Sequence, residues 1–213
     1  MQFCQLLQIP RGVTAIIGSG GKTTLLYLLA RELSRSGSVI VSTTTHIFRP
    51  SALPCVEAVG TVSEAVVVGT PCENGKLTAP HQSFEELAGL ADYVLVEADG
   101  SRRLPLKAHA PHEPVLPPNA AQIITVVGAA GLNRPVAEVV HRPERFAALS
   151  GEAALATPKA VAAALITEGL SRRVVINQAD LPEQLAAALE LKSLLPYPTV
   201  VAALAKEELL CSY

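Results

Sequence analysis

Short runs of aliphatic and β-branched residues alternate along this chain with longer segments whose apolar positions recur every three or four residues. The first run, VTAIIG at 13–18, is what a strand buried on both faces requires. After a glycine-rich stretch, Leu25, Leu28, Leu29 and Leu33 fall on one face of a helix that Gly37 is placed to end. Further strands are predicted from Ser38 (SVIVSTTT), over 65–69 (AVVVG), 93–97 (YVLVE), 122–128 (QIITVVG), 173–177 (RVVIN) and 199–204 (TVVAAL). Helices are predicted over 83–91, 143–149, 158–169 and 182–195. Ser83 and Glu86 have the spacing of a capping box, and Thr157 precedes a first-turn proline. Pro50 and Pro54 belong to a loop, and ENGK at 73–76 to a turn.

Strands alternating with helices predict an α/β fold, a mainly parallel sheet with helices on both faces. The stretch 104–118, LPLKAHAPHEPVLPP, holds five prolines and excludes a regular helix or a central strand. It reads as a rigid extended loop or a linker. With 213 residues, the chain is expected to be one domain over 1–213 with this proline-rich loop inside it.

Composition narrows the function. Apolar residues make up 49% and aromatics only 4%, which suits an aliphatic core under helices packed on a sheet. With 17 basic and 19 acidic residues the net charge is −2, and no basic tract exceeds two residues, so no nucleic-acid partner is expected. The N-terminus lacks the pattern of a signal peptide, and Pro158 and Lys159 interrupt the apolar stretch 153–166, so no membrane partner is expected. Cys4, Cys55, Cys72 and Cys211 lie at no metal-ligand spacing and read as reduced thiols of a cytoplasmic protein.

The chemistry concentrates in GSGGKTT, placed between the first strand and the first long helix. Gly18, Ser19, Gly20 and Gly21 would let backbone N–H groups approach phosphate oxygens, and a helix N-terminus favours the negative charge. Lys22 would reach the β- and γ-phosphates, Thr23 would place its hydroxyl on Mg²⁺, and Thr24 completes the cofactor-binding loop. The bland alternative is a tight glycine turn beside a solvated lysine. The loop is shorter than usual: a glycine is expected five residues before Gly21, where Ile16 stands, and the first glycine here is Gly18. This motif makes the expected fold P-loop NTPase-like, with ATP or GTP and Mg²⁺ as the ligands.

Other residues point to the same sheet edge. Thr43, Thr44 and Thr45 end the second strand, and Thr44 is a candidate metal ligand, against a reading as ordinary strand composition. Glu97 and Asp99 follow the buried strand YVLV, where a metal-associated or water-positioning carboxylate is expected; together with Lys22 they are the candidate catalytic residues. Asn177 and Asp180 in NQAD match a guanine-reading pattern except that Gln178 stands in the place of its lysine. Alternatively, Asp180 and Glu183 form a cap for the helix starting near Pro182. His109, His112 and Glu113 are candidate metal ligands or bases, or simply a hydrogen-bonded or exposed pair of histidines with an acid.

Taken in order, GSGGKTT, STTTHI, DYVLVEADGS, PLKAHAPHEPVLP and VVINQAD resemble the selenium-dependent hydroxylase accessory protein family, of the YqeC type. The resemblance implies a nucleotide-binding, NTP-hydrolysing accessory protein in the maturation of molybdenum hydroxylases that need a labile selenium atom. Its implied partners are such a hydroxylase or its cofactor-maturation proteins. It carries over Gly18, Gly20, Gly21, Lys22 and Thr23 as the nucleotide loop, and Glu97, Asp99, Lys107, His112 and Glu113 as family-pattern residues without an assigned role. Two other functions remain open on the residues alone: a small-molecule kinase or ligase, with Arg102 and Lys107 as substrate-binding cations, and a non-catalytic nucleotide-sensing chaperone.

Overall fold

A computed structural model describes residues 2–49 and 53–212. The chain forms two compact units, the first comprising Met1–Ile16, Thr23–Gly100 and Val115–Gln122, the second Ile17–Lys22, Ser101–Pro114 and Ile123–Tyr213.

The first unit carries α1 (Phe3–Leu6), β1 (Gly12–Gly18, whose last two residues belong to the second unit), α2 (Lys22–Leu33), β2 (Val39–Thr43), β3 (Ile47–Phe48), β4 (Cys55–Val56), β5 (Ala65–Val68), β6 (Thr70–Pro71), β7 (Lys76–Thr78), α3 (Phe84–Ala88) and β8 (Tyr93–Glu97). Its parallel strands run in the order β1-β8-β2-β5-β4. The register sets Glu97 opposite Ile16 of β1 and Thr43 of β2, so the acid ends a strand with parallel neighbours on both sides. Every residue of β2 is buried, as a strand covered on both faces demands. β3, β6 and β7 make a small antiparallel sheet. Leu25, Leu28, Leu29 and Leu33, the predicted stripe of α2, are all buried. Ile40, Val68, Val94 and Val96 pack with Leu87 of α3 in one apolar cluster. The capping box of Ser83 and Glu86 is present. Pro50 lies outside the described residues, while Pro54 occupies irregular chain before β4.

The second unit carries β9 (Leu106–Lys107), β10 (Ala120–Gly128, its first residues in the first unit), α4 (Val136–Val139), β11 (Val140–His141), α5 (Pro143–Ser150), α6 (Pro158–Glu168), β12 (Arg173–Asn177), α7 (Pro182–Leu194), β13 (Thr199–Ala203) and β14 (Glu208–Cys211). Strands β10, β12 and β13 are parallel neighbours, and β14 closes the order antiparallel to β13. Its core gathers Val127, Phe146, Val161, Leu165, Ile176 and Leu191. Thr157 caps α6, accepting the Ala160 N–H at 3.1 Å. The fold is thus α/β with a mainly parallel strand framework, as the alternation predicts. The proline-rich stretch is largely irregular, but Leu106–Lys107 pairs in parallel with Val140–His141.

Cys4, Cys55, Cys72 and Cys211 form no disulfide. Burial, reinforced by the neighbouring Glu32, pushes the Cys4 thiol up to about 11, so it is an inert core residue. No helix among the described residues is long and apolar enough to cross a membrane.

Candidate functional site

The glycine loop lies in the second unit up to Lys22. It leaves β1 with Gly18, Gly20 and Gly21 at φ values of 90°, 86° and 128°, in the left-handed region that side chains oppose. The loop is held against the backbone beneath it. The Ser19 N–H donates to the Val126 carbonyl at 2.8 Å, and the Ser19 hydroxyl donates to the Leu104 carbonyl. The Asn177 amide donates to the Gly20 carbonyl at 2.7 Å and accepts the Leu204 N–H at 2.8 Å. A Cβ at Gly21 would overlap that amide, and one at Gly20 would overlap Gly128. These glycines are therefore required by packing below as well as by any ligand above.

Lys22 begins α2, is only 3% exposed, and donates from Nζ to the Gly18 carbonyl at 2.8 Å. The first turn of α2 contains no acidic residue. A buried ammonium thus sits at the positive end of a helix dipole, an arrangement that an anion bound there would stabilise. Thr24, next but one along the helix, is exposed.

In the first unit, the Thr23 hydroxyl donates to Glu97 Oε2 at 2.9 Å. The Glu97 carbonyl accepts from the Thr43 hydroxyl at 2.9 Å and from the Thr44 N–H at 3.1 Å. Thr43 is thereby used to fasten β2 to β8. The buried Thr44 hydroxyl, in contrast, has no hydrogen-bond partner among the described residues. Beyond Glu97, Ala98 is pinned by the Ile16 carbonyl at 3.0 Å and the Val115 N–H at 3.1 Å, and Asp99 is fully buried. Tyr27 is close enough to feel the Glu97 charge; burial first, then Glu97, then Cys55, raises its phenol well above its ordinary value.

Two sequence expectations change. Asp180 does not cap α7: Gln184 reaches back to accept the N–H groups of Asp180 and Leu181, each at 3.1 Å, while Asp180 pairs with Lys206 at 3.3 Å. Pro182 at the first helical position makes Leu181 the N-cap, one residue beyond Asp180. Asn177 holds the glycine loop, its amide donating to the Gly20 carbonyl and accepting the Leu204 N–H. Finally, His109, His112 and Glu113 do not converge as metal ligands. His109 is buried and held by both Glu168 oxygens, its N–H at 2.6 Å and its Nδ1 at 2.9 Å. His112 is exposed. Glu113 joins Lys107 at 2.8 Å and Arg142, whose second hydrogen bond to it measures 3.0 Å. Among the described residues, no group of three or more His, Cys, Asp or Glu could hold a metal ion.

Burial raises the Glu113 carboxyl, but the hydrogen bonds and charges of Arg142 and Lys107 overcome it and lower the group to about 2. His141 lies below its ordinary 6.5 because of burial first, then the charges of Arg142, Lys107 and Arg102, with Glu113 opposing. Both groups bind fewer protons folded than unfolded in the window between their two values, so both make the fold acid-sensitive. The His141 contribution is complete above pH 6.5 and is lost as pH falls through its lower folded value; that of Glu113 is complete above 4.5 and fades toward about 2. The denaturation midpoint is expected to fall as pH drops below 6.5, and His141→Gln to flatten the upper part of that slope while leaving the part below 4.5. Equal slopes in both proteins would contradict it.

Comparison with known proteins bears on the same residues. A family model described as "YqeC protein" matches residues 14–144, the segment that includes the glycine loop, Glu97, Asp99 and the proline-rich stretch. A relative from Escherichia coli (strain K12), described as "Uncharacterized protein YqeC", is 36% identical over 160 residues, covering 65% of this chain. The matched stretch spans 60% of that relative's length.

Proposed function

We propose that this chain, which belongs to the YqeC family, binds a nucleoside triphosphate with Mg²⁺ and hydrolyses it in the course of its work. The observation that carries the reading is Lys22: a 3% exposed cation at the start of α2, inside a loop of left-handed glycines, with no acid in the helix's first turn. Such a P-loop-like arrangement is complementary to a polyphosphate of ATP or GTP. The donors also suit the metal. Mg²⁺ prefers oxygen ligands and is held by one or two protein groups plus nucleotide phosphates. Thr23, Glu97 and Thr44 supply hydroxyl and carboxylate oxygens, and the buried Thr44 hydroxyl lacks any other partner among the described residues. Mg²⁺ bound there would neutralise phosphate charge, and in this reading Asp99 positions water.

The test is calorimetry on Lys22→Ala. Losing a charge-assisted contact is expected to weaken triphosphate binding by about 2–3 kcal/mol, roughly 30- to 150-fold, with the fold retained. Unchanged affinity would remove the basis of the reading.

We extend the proposal to a cytoplasmic accessory role in maturing selenium-dependent molybdenum hydroxylases, on the strength of the family. A hydroxylase purified from cells lacking this protein is expected to be inactive, and to recover with the native chain but not with Lys22→Ala. Recovery with both would separate the role from the nucleotide. A small-molecule kinase or ligase is the second reading, favoured by the cations gathered around Glu113.

A further inference from the structure

Residues 177–180 end and follow β12, at the sheet edge where parallel strands of α/β proteins meet their ligands. The Ser19 N–H ties the glycine loop to Val126 of β10, and the β10–β12 register sets Gly128 beside Asn177. With β10 between them, the end of β12 lies about 10 Å from the loop, a distance that a nucleotide covers between its phosphates and its base. Asn177 fixes both sides of this span. Its amide donates to the Gly20 carbonyl at 2.7 Å and accepts the N–H of Leu204, the residue after β13, at 2.8 Å. The Ala179 N–H adds a bond to the Ala202 carbonyl at 3.4 Å. The glycine loop, the turn 177–180 and the turn Leu204–Lys206 are thus fastened together, all within the second unit.

Within the turn, Gln178 is left-handed, with φ 61°, a conformation that side chains oppose. Such strain persists where the surroundings hold it, commonly at ligand sites. The Gln178 amide oxygen is buried against Gly128, where an added Cβ would overlap it, so this side chain is directed toward the floor of the loop. Ala179 is buried, and Asp180 is the residue that faces out. Its carboxylate is not spent on α7, because Gln184 takes the N–H groups of Asp180 and Leu181. Lys206 Nζ, from the turn after β13, stands 3.3 Å from one carboxylate oxygen, and the Lys206 and Asp180 side chains remain 52% and 35% exposed. An exposed pair of this kind adds little to stability. A carboxylate has about four acceptor sites, so the contact with Lys206 leaves both oxygens able to accept again.

We propose that Asp180 reads the base of the bound nucleotide, that the base is guanine, and that Lys206 is a positioning residue which orients the carboxylate. The inference rests on the nucleotide reading above and names which nucleotide is bound. A carboxylate only accepts hydrogen bonds. Guanine offers two adjacent donors, its ring N1–H and its N2 amino group, one for each oxygen. Adenine offers its N6 amino group beside the lone pair of ring N1, so one carboxylate oxygen would face a lone pair and lose its partner. A site built to hydrogen-bond one partner in this way rejects the other more strongly than an apolar pocket does.

The experiment is calorimetry with Mg²⁺ and the diphosphates of guanosine, adenosine, inosine and xanthosine. The native chain is expected to bind the guanosine form at least about tenfold more tightly than the adenosine form, and than the inosine form, which lacks the N2 amino group. In Asp180→Asn the amide offers one acceptor and one donor, which match the N1–H and C2 carbonyl of xanthine. This variant is expected to lose at least about tenfold in affinity for guanosine diphosphate and to prefer xanthosine diphosphate, with its melting temperature unchanged. Lys206→Met removes the same ion pair, and is expected to weaken guanosine diphosphate without reversing that preference, so loss of the pair alone does not imitate the switch. Two results overturn the assignment: a native chain that binds the guanosine and adenosine forms equally, or Asp180→Asn that still prefers guanosine to xanthosine diphosphate. If either occurs while binding still depends on Lys22, the nucleotide reading stands and the base assignment alone fails. If no nucleotide binds at all, the nucleotide reading fails and the assignment with it.

Discussion

Asp99→Asn is expected to hold Mg²⁺–triphosphate as tightly as the native chain yet turn it over on the order of 100-fold more slowly. Asp99 is fully buried and lies two residues beyond Glu97. The intervening Ala98 is tied on one side to Ile16 and on the other to Val115, so the backbone leaves residue 99 little freedom. Asparagine matches aspartate in volume, and the fold should accept it. What is lost is the negative charge that orients metal and water, and that charge matters most as bonds to the departing phosphate break. Single-turnover phosphate release checks the rate, and calorimetry checks the binding. Equal rates in both proteins would exclude Asp99 from the chemical step, and a parallel loss of affinity would make it a ground-state ligand instead.

Gly18→Ala is expected to lower stability by about 3 kcal/mol, and with it the melting temperature by roughly 6–12 °C. Gly18 has φ 90°, and an added Cβ would overlap the Val126 carbonyl oxygen as well as crowd the Thr125 side chain. The Ser19 N–H bonds that same carbonyl at 2.8 Å, so the strand cannot move away without breaking the bond. Gly60, which an added Cβ would leave in open space, is the control, expected to change little on substitution by alanine. Equal melting temperatures for native protein and Gly18→Ala would contradict the packing argument.

The residues whose roles were legible in the sequence act through their immediate neighbours. The strand 13–18, the loop of glycines and the leucine stripe of α2 depend on local periodicity and backbone freedom, and each is found where expected. Ser83 with Glu86, and Thr157, cap their helices because a cap reaches only three residues. Roles set by distant partners were not legible. His109 meets Glu168 across 59 residues, and Glu113 meets Arg142 across 29. The Asn177 amide holds Gly20 across 157 residues, a purpose no spacing discloses. β14 was missed because Leu209 and Leu210 are both exposed, so its sequence shows no alternation of buried and open positions. Asp180 misled for a local reason: its spacing to Glu183 mimics a cap, but the proline two residues on moves the helix start and hands the N–H groups to Gln184.

The central claim is that the chain binds a Mg²⁺–nucleoside triphosphate through the loop around Lys22. Its most direct test is a thermal-shift panel on the native protein with ATP, GTP, their diphosphates and free phosphate, each with and without Mg²⁺. A ligand bound only by the folded state raises the midpoint in proportion to the logarithm of its saturation, by about 2.7 kcal/mol of stability at a hundredfold excess over Kd. The account predicts a Mg²⁺-dependent rise with ATP or GTP that disappears in Lys22→Ala. No shift with any triphosphate, or one equal in the presence and absence of both Mg²⁺ and Lys22, would contradict it.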